Sequence, residues 1–376
     1  MNGKQEVDEP REEVGIALVG PVRPYRGGIA QHTEMLLAAL EEAGGEVICV
    51  SFSRQYPTLL FPGKSDRDPQ KRRLEAANVR YLIDSLNPLT WRRAAVEIAR
   101  FGADIVVLPW WTWYWAPCFG YLARALSRRG VDVRFVCHNV VDHETAGWKA
   151  RLSRWALLGG DSFVVQSRHE ADRLSRLVGA RSLRTHPHPV YSQFPAARTS
   201  LPRRAAQELL FYGFVRPYKG LDVLIEALAR CCSQDIALTV AGEFWQGEAR
   251  ARARIAELGL GDLVEIAPRY HSELETAALF DRADVVVMPY LSATGSGVLG
   301  LALHYGRPVI ASAVGGLADI VEDGVTGLLV SPGDADALAR AIDDMPAERS
   351  AAMRDAVRAR ARSLTWASLA RCVLAQ

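Results

Sequence analysis

The chain has 376 residues, 49% hydrophobic and 23% charged, with 45 Lys and Arg against 43 Asp and Glu. The net charge of +2 argues against a dedicated nucleic-acid binder, which carries a strong basic excess, and the composition argues against a disordered or collagen-like chain. The length fits two or three domains, and six cysteines without a Cys-x-x-Cys pair point to a reducing compartment with no disulfide framework and no zinc site.

Residues 1–13 are polar, lack the apolar core of a signal peptide and are expected to be disordered. Beyond them, short runs rich in Val and Ile alternate with helical patterns. Strands are predicted at 15–20 and 46–52, with a helix between them from about Ala30 to Ala43. A helix at 90–102 is followed by strands at 103–109 and 131–137, and a strand at 161–167 by a helix at 168–178. The second half reads the same way, with strands at 208–214, 236–242, 263–268, 283–289, 307–312 and 326–330. Strands apolar on both faces, alternating with helices, mean parallel sheets covered on each side. Prolines and polar residues break the series at 186–207. Domains are therefore expected at 14–190 and 207–360, joined by a linker at 191–206.

The stretch 105–123 carries no charge and is long enough to suggest a membrane span. Pro109, Pro117 and Gly120 interrupt it, and it divides into a buried strand, the aromatic loop WWTWYWAP and a helix. The chain therefore reads as cytoplasmic.

Two turns echo each other about half a chain apart. GPVRPYRG at 20–27 and GFVRPYKG at 213–220 agree at six of eight positions, and each ends a strand and opens a helix. Their placement predicts an α/β protein of two Rossmann-like parallel-sheet domains facing a central cleft, with ligands at the carboxyl ends of the strands. In the second turn Gly213, Arg216, Lys219 and Gly220 combine a strand end, a guanidinium fork, a mobile ammonium and a helix start, which suits phosphate oxygens. A solvated basic turn is the plainer alternative. In the first turn Arg23, Arg26, Gly27 and Gly28 offer the same chemistry, or simply a tight turn feeding the helix. Neither turn is a dinucleotide fingerprint or a Walker loop, which counts against nicotinamide redox chemistry and ATP hydrolysis.

Past the strand at 283–289, Ser292, Thr294 and Ser296 are helix-cap residues. The Gly295-Ser296-Gly297 stretch and the helix start at Val298 free backbone N–H groups that would hold a diphosphate, unless this is an ordinary capped helix. His138 ends another strand, followed by Asn139, Asp142, His143 and Glu144, and is either structural or catalytic. Trp110, Trp111, Trp113 and Trp115 follow the strand at 103–109. The first three are candidate acceptor-binding rings, because flat aromatic faces stack on sugars or lie against lipid, while core packing should claim at least two of the four. Asp66-Arg67-Asp68 sits in a polar loop and Asp334-Ala335-Asp336 reads as a helix N-cap, so no metal site is expected.

The segments RPYRGGIAQHT, CHNVVDHE, GFVRPYKGLDVLIEAL, VAGEFW, ADVVVMPYLSATGSGV, YGRPVIASAVGGLADIV and DGVTGLLVSPGD cover nearly the whole chain after Val14. Together they resemble the family-4 glycosyltransferases of GT-B architecture. The resemblance implies retaining transfer of a sugar from a nucleotide donor, UDP- or GDP-linked, held by the C-terminal domain with no metal on the leaving group and no other cofactor. It implies an N-terminal acceptor domain and a last helix, 361–376, crossing back to it. Carried over by position, Arg216 and Lys219 resemble the cations on the donor diphosphate, Gly27 and Gly28 the loop that approaches the donor phosphates, and His138 the histidine beside the transferred sugar. Ser296, Gly297 and Val298 match the helix start under the distal phosphate, and Gly213 and Thr294 complete the donor-binding set. The sequence departs from the family where two glutamates normally precede a Gly-x-Pro: those positions hold Ala293 and Leu301. A branch of the family has a Ser-Ala-Thr-x-Ser-Gly pattern there, so the loss does not by itself imply inactivity. Glu243 is the candidate replacement contact.

The expected function is sugar transfer to a glycan, lipid-linked or small-molecule acceptor in cell-surface polysaccharide or glycoconjugate synthesis. The alternatives are a non-catalytic subunit that binds a nucleotide sugar or glycan, and an oxidoreductase on paired Rossmann domains. The arginines of TWRRAAVEIAR and RALSRRG, near the Trp loop in sequence, would suit peripheral contact with the inner face of a membrane, or form solvated helix faces.

Overall fold

A computed structural model describes residues 14–57, 66–68, 71–140, 147–179, 181–191, 194–233, 235–293 and 295–375. The segment 1–13 and the residues Asp142, His143, Glu144 and Thr294 therefore lie outside the described residues. Contacts divide the chain into two units.

The first unit takes Met1–Val165, Asp172–Arg184 and Trp366–Gln376. Its strands are β1 (Gly15–Val19), β2 (Glu46–Arg54), β3 (Val79–Asp84), β4 (Ile105–Trp110), β5 (Asp132–Cys137), β6 (Ser162–Val165) and β7 (Ser182–Thr185). They form one sheet in the order β3-β2-β1-β4-β5-β6-β7, parallel from β3 to β6. Between them run α1 (Gly28–Glu42), α2 (Pro88–Phe101), α3 (Ala116–Ser127), α4 (Gly147–Leu157) and α5 (Arg168–Val178). β1 and β4 are buried at every residue, as a parallel sheet sandwiched by helices requires. In α2 the Asn87 side chain accepts from the Leu89 N–H, Pro88 fills the first turn and Gly102 ends the helix in the left-handed region. β3 and β7 escape the sequence pattern: VRYLID and SLRT are half-exposed outer strands without a continuous apolar run.

The second unit takes Gln166–Ala171 and Thr185–Thr365. Its strands are β8 (Gln207–Tyr212), β9 (Ile236–Ala241), β10 (Val264–Ala267), β11 (Val285–Met288), β12 (Val309–Ser312) and β13 (Gly327–Val330). The sheet is parallel in the order β10-β9-β8-β11-β12-β13. Its helices are α6 (Leu221–Leu228), α7 (Glu248–Glu257), α8 (Glu273–Arg282), α9 (Gly297–His304), α10 (Gly315–Ile320), α11 (Ala335–Asp343) and α12 (Ala347–Ser363). Asp334 caps α11 by accepting from the Ala337 N–H at 2.8 Å. Counted from its own first strand, each sheet runs 3-2-1-4-5-6, with a seventh strand added at the end of the first sheet, the doubly wound order in which direction reverses beside the first strand.

The contact boundaries differ in detail from the sequence-based ones. Residues 166–171 fall with the second unit: the Arg168 N–H donates to the Asp319 carboxylate at 2.9 Å, and Gln166 packs against Gly295. Residues 185–190 join the same unit, where the Val190 N–H donates to the Leu364 carbonyl. At the C-terminus α12 ends at Ser363, and the last helix, α13, is Trp366–Leu374 rather than the whole of 361–376. It packs on α1 within the first unit. Buried Arg134, on β5, donates to the Val373 carbonyl and to that of Ala375 at 2.9 Å, so a guanidinium satisfies carbonyls orphaned at the end of α13.

Candidate functional site

In such sheets ligands gather outside the carboxyl ends of the strands where the order reverses, here beside β1 and β4 in one unit and beside β8 and β11 in the other. In the second unit close backbone contacts assemble that corner. A methyl group on Gly220, whose φ is 70°, would lie 2.0 Å from the Pro289 carbonyl oxygen. One on Gly242 would lie 2.1 Å from that of Gly213. Only glycine lets the turns after β8, β9 and β11 touch backbone to backbone. A methyl group on Gly213 would lie 3.1 Å from Lys219 Nζ and 3.3 Å from Val298 Cγ2. The lysine of the β8 turn and the first turn of α9 therefore meet over one glycine.

Lys219 is only 7% exposed. Its ammonium donates to the Tyr212 carbonyl at 3.4 Å and lies 5.5 Å from the centroid of the Tyr290 ring. Burial, and then the charge of Arg216, push its pKa down to about 8. The half-buried Arg216 stacks on Trp245, its guanidinium carbon 3.5 Å from the ring centroid, and burial lowers its pKa too. Among the described residues neither cation forms an ion pair with a carboxylate. Two desolvated, uncompensated positive charges are costly by themselves and favour an incoming anion. Opposite them Ser296 caps α9, its hydroxyl accepting from the Leu299 N–H at 3.4 Å. Gly297 is held under Tyr191, since a methyl there would lie 3.3 Å from that ring. The first N–H groups of α9 thus start at the same corner as the two cations, where helix polarity also favours negative charge.

Beside this turn the β9 exit runs as an extension of the sheet. The Glu243 carbonyl accepts from the Val215 N–H at 2.9 Å, and Trp245 donates its N–H to the Val215 carbonyl at 3.3 Å. Half-buried Glu243 is thereby placed next to the basic turn. Trp245 is a site residue missed by the sequence reading; an aromatic two residues past a strand-end acid was its only signal. Leu301 is buried on α9, so the position where the family has its second glutamate faces packing here.

In the first unit Gly27 caps α1 and Gly28 begins it. Arg23 pairs with Glu34 at 3.0 Å, while Tyr25 is buried and donates its hydroxyl to the Phe52 carbonyl at 2.8 Å. The His138 N–H donates to the Trp110 carbonyl at 2.8 Å, which fixes the backbone just beyond β5. Its ring stands edge-on to His32 of α1, centroids 4.2 Å apart, and His32 in turn meets Trp366 of α13 at 4.9 Å. His32 was hidden in the sequence among the apolar residues of α1.

The tryptophan set needs correction. Trp110 is 1% exposed, donates its indole N–H to the Val140 carbonyl and packs edge-on to Phe135, so it is core and not an acceptor contact. Trp115 is equally buried. Trp111 and Trp113 remain half-buried: the first donates to the Tyr56 hydroxyl at 3.0 Å, and the second has the Lys149 ammonium 4.9 Å from its ring centroid.

Residues 26–193 match the family model described as Glycosyltransferase Family 4, and residues 206–347 the model described as Glycosyl transferases group 1. A D-inositol 3-phosphate glycosyltransferase of Geodermatophilus obscurus is 35% identical over 204 residues, 48% of this chain and 45% of that protein. The chain spans about half the length of the curated relatives it matches. Among solved structures, a sucrose-phosphate synthase from Thermosynechococcus elongatus superposes with a TM-score of 0.71 at 24% identity, covering 95% of this chain and 96% of that one. Anabaena Alr3699/HepE in complex with UDP-glucose superposes with a TM-score of 0.68 at 16% identity, covering 96% and 98%.

Proposed function

The chain belongs to the family-4 glycosyltransferases of GT-B architecture, and we propose that it moves a hexose from a UDP- or GDP-sugar to an acceptor with retention of anomeric configuration. The observation that carries this reading is the pair of desolvated cations, Arg216 and Lys219, gathered with the α9 N-terminus at the carboxyl end of β8. The Anabaena neighbour was solved with UDP-glucose, which supports a nucleotide sugar as the donor.

Breaking the bond between anomeric carbon and phosphate oxygen leaves negative charge on the diphosphate. Arg216, Lys219 and the N–H groups at Ser296–Val298 stabilise that charge, work a metal would otherwise do. The departing phosphate oxygen takes the proton of the attacking acceptor hydroxyl, and His138, braced by His32, orients the sugar. Glu243 and Trp245 flank the donor at the β9 exit, and Trp111 and Trp113 serve the acceptor. The acceptor is a glycan, a lipid-linked sugar or a small molecule; the inositol phosphate in the names of the curated relatives makes the last class the first to assay. Synthesis of cell-surface glycans and peripheral contact with a membrane belong to the same reading.

A thermal-shift screen with UDP, GDP and their sugars tests it. A donor at a hundred times its dissociation constant adds about 2.7 kcal/mol to stability, and the shift should vanish in Arg216→Ala. Normal transfer rates in Arg216→Ala and Lys219→Ala would remove the scheme.

A further inference from the structure

We propose that α2, α3 and α4 of the first unit form a docking face for the surface of an anionic phospholipid bilayer. This deepens the membrane-contact part of the proposed function and rests on that part alone.

The face is built by helical spacing. Trp148, Leu152 and Trp155 recur at i, i+4 and i+7 along α4, and Pro117, Tyr121 and Arg124 do so along α3. Residues so spaced share one side of a helix. The two stripes adjoin: α3 packs on α4 and α2 on α3, and an apolar groove is lined by Trp91, Pro117, Tyr121, Leu152 and Trp155. Large apolar side chains on the three helices are left in solvent, with Leu89 66% exposed, Trp148 55%, Trp155 41% and Tyr121 37%. The face is also closely packed beneath. The Trp155 ring lies against Gly120, where a methyl group would come within 2.2 Å of it, and Arg124 stacks 4.2 Å from the ring centroid.

Charge selects the occupant. The three helices carry seven Lys and Arg and one acid, Glu97, which already faces Arg80 at 3.7 Å. Arg92, Arg93, Arg151 and Arg154 are exposed. Indole and phenol rings settle at the headgroup level of a bilayer, and clustered cations draw anionic lipid. A protein partner would need matching acidic and apolar relief, whereas a fluid anionic surface adapts to both rows at once. No helix among the described residues is long and apolar enough to cross a membrane, so the contact is one of surface docking.

The test is flotation of the full chain with vesicles of phosphatidylcholine alone or mixed with phosphatidylglycerol, at low and high salt. Wild type should float with the mixed vesicles at low salt, lose binding at high salt and stay unbound with phosphatidylcholine alone. The variant carrying Arg92→Glu, Arg93→Glu and Trp148→Ser should lose about tenfold or more in partitioning, while Arg92→Lys with Arg93→Lys retains it. The thermal shift by UDP or GDP should be unchanged in both variants, which separates this face from the donor site. Wild type that never floats with anionic vesicles, or a charge-reversed variant that floats as well as wild type, overturns the proposal. A dimer in solution that dissociates in the charge-reversed variant without any flotation also overturns it, and makes the face a self-interface.

Discussion

In the first unit the turn GPVRPYRG buries its tyrosine and leaves its first arginine on the surface, paired with Glu34; in the second, GFVRPYKG exposes its tyrosine and buries its lysine. The strand order around the two turns is the same. What differs is the neighbourhood. Phe52 on β2 offers a carbonyl to the Tyr25 hydroxyl, whereas Gly220 lets the second turn press onto Pro289 and carries Lys219 inward. A near-identical octapeptide thus yields a turn whose first arginine is paired with a carboxylate in one unit, and in the other a turn whose arginine and lysine form no ion pair with a carboxylate among the described residues. The burial and the partners that each neighbourhood supplies decide which of the two is poised for an anion.

The largest test of this asymmetry is kinetic. Arg216→Ala and Lys219→Ala should each lower kcat by a factor of about 10²–10³, whereas Arg23→Ala, at the equivalent position of the first turn, should change it by less than about tenfold, because Glu34 already takes up its charge. Equal losses at Arg23 and Arg216 would end the comparison. The backbone gives a second contrast, read by urea unfolding. Gly220→Ala drives a methyl into the Pro289 carbonyl and should cost about 3 kcal/mol or more. Gly27→Ala meets open space and should cost only its backbone term, about 1–3 kcal/mol.

The buried ammonium adds a pH signature. Lys219 holds its proton less tightly when folded, near 8, than its ordinary value of 10.5. Between those values the unfolded chain binds more protons, so ligand-free stability should rise with pH across about 8 to 10.5, by at most about 1.4 kcal/mol per unit. Nucleoside diphosphate binding needs the charged form, so affinity should instead fall as pH passes 8. Titration calorimetry and thermal melts of Lys219→Met should lose both slopes. The smallest effect concerns Trp245: Trp245→Ala should weaken nucleotide binding about 3- to 30-fold by releasing Arg216, and Trp245→Phe by less. Unchanged affinity in Trp245→Ala would show that the stack does not position the guanidinium.

The inner strands were legible because β1, β4, β8 and β11 are buried at nearly every residue, and each carries an apolar run, rich in Val and Ile in β1, β4 and β11 and Leu-Leu-Phe in β8. β3 and β7 were not, because outer strands accept charged and polar residues. The basic turn, the Ser296 cap and the glycines were readable as chemistry attached to strand ends. His32 and Trp245 were not, since each acquires its role only from a side chain brought to it by another element: the His138 ring beyond β5, and the Arg216 guanidinium beyond β8. Trp110 misled for the converse reason, as one of four similar aromatics whose burial no local pattern distinguishes.

By itself the order of residues determined the alternation of buried strands and helices, the repeated turn and the positions where glycine is required, because these follow from backbone sterics and hydrophobic periodicity along one segment. Only the tertiary structure decided which copy of the turn pairs its first arginine with a carboxylate and which buries its lysine, which tryptophans remain accessible and how Arg134 anchors the last helix. Desolvation and pairing depend on what distant segments place beside a side chain, and no window of sequence contains that information.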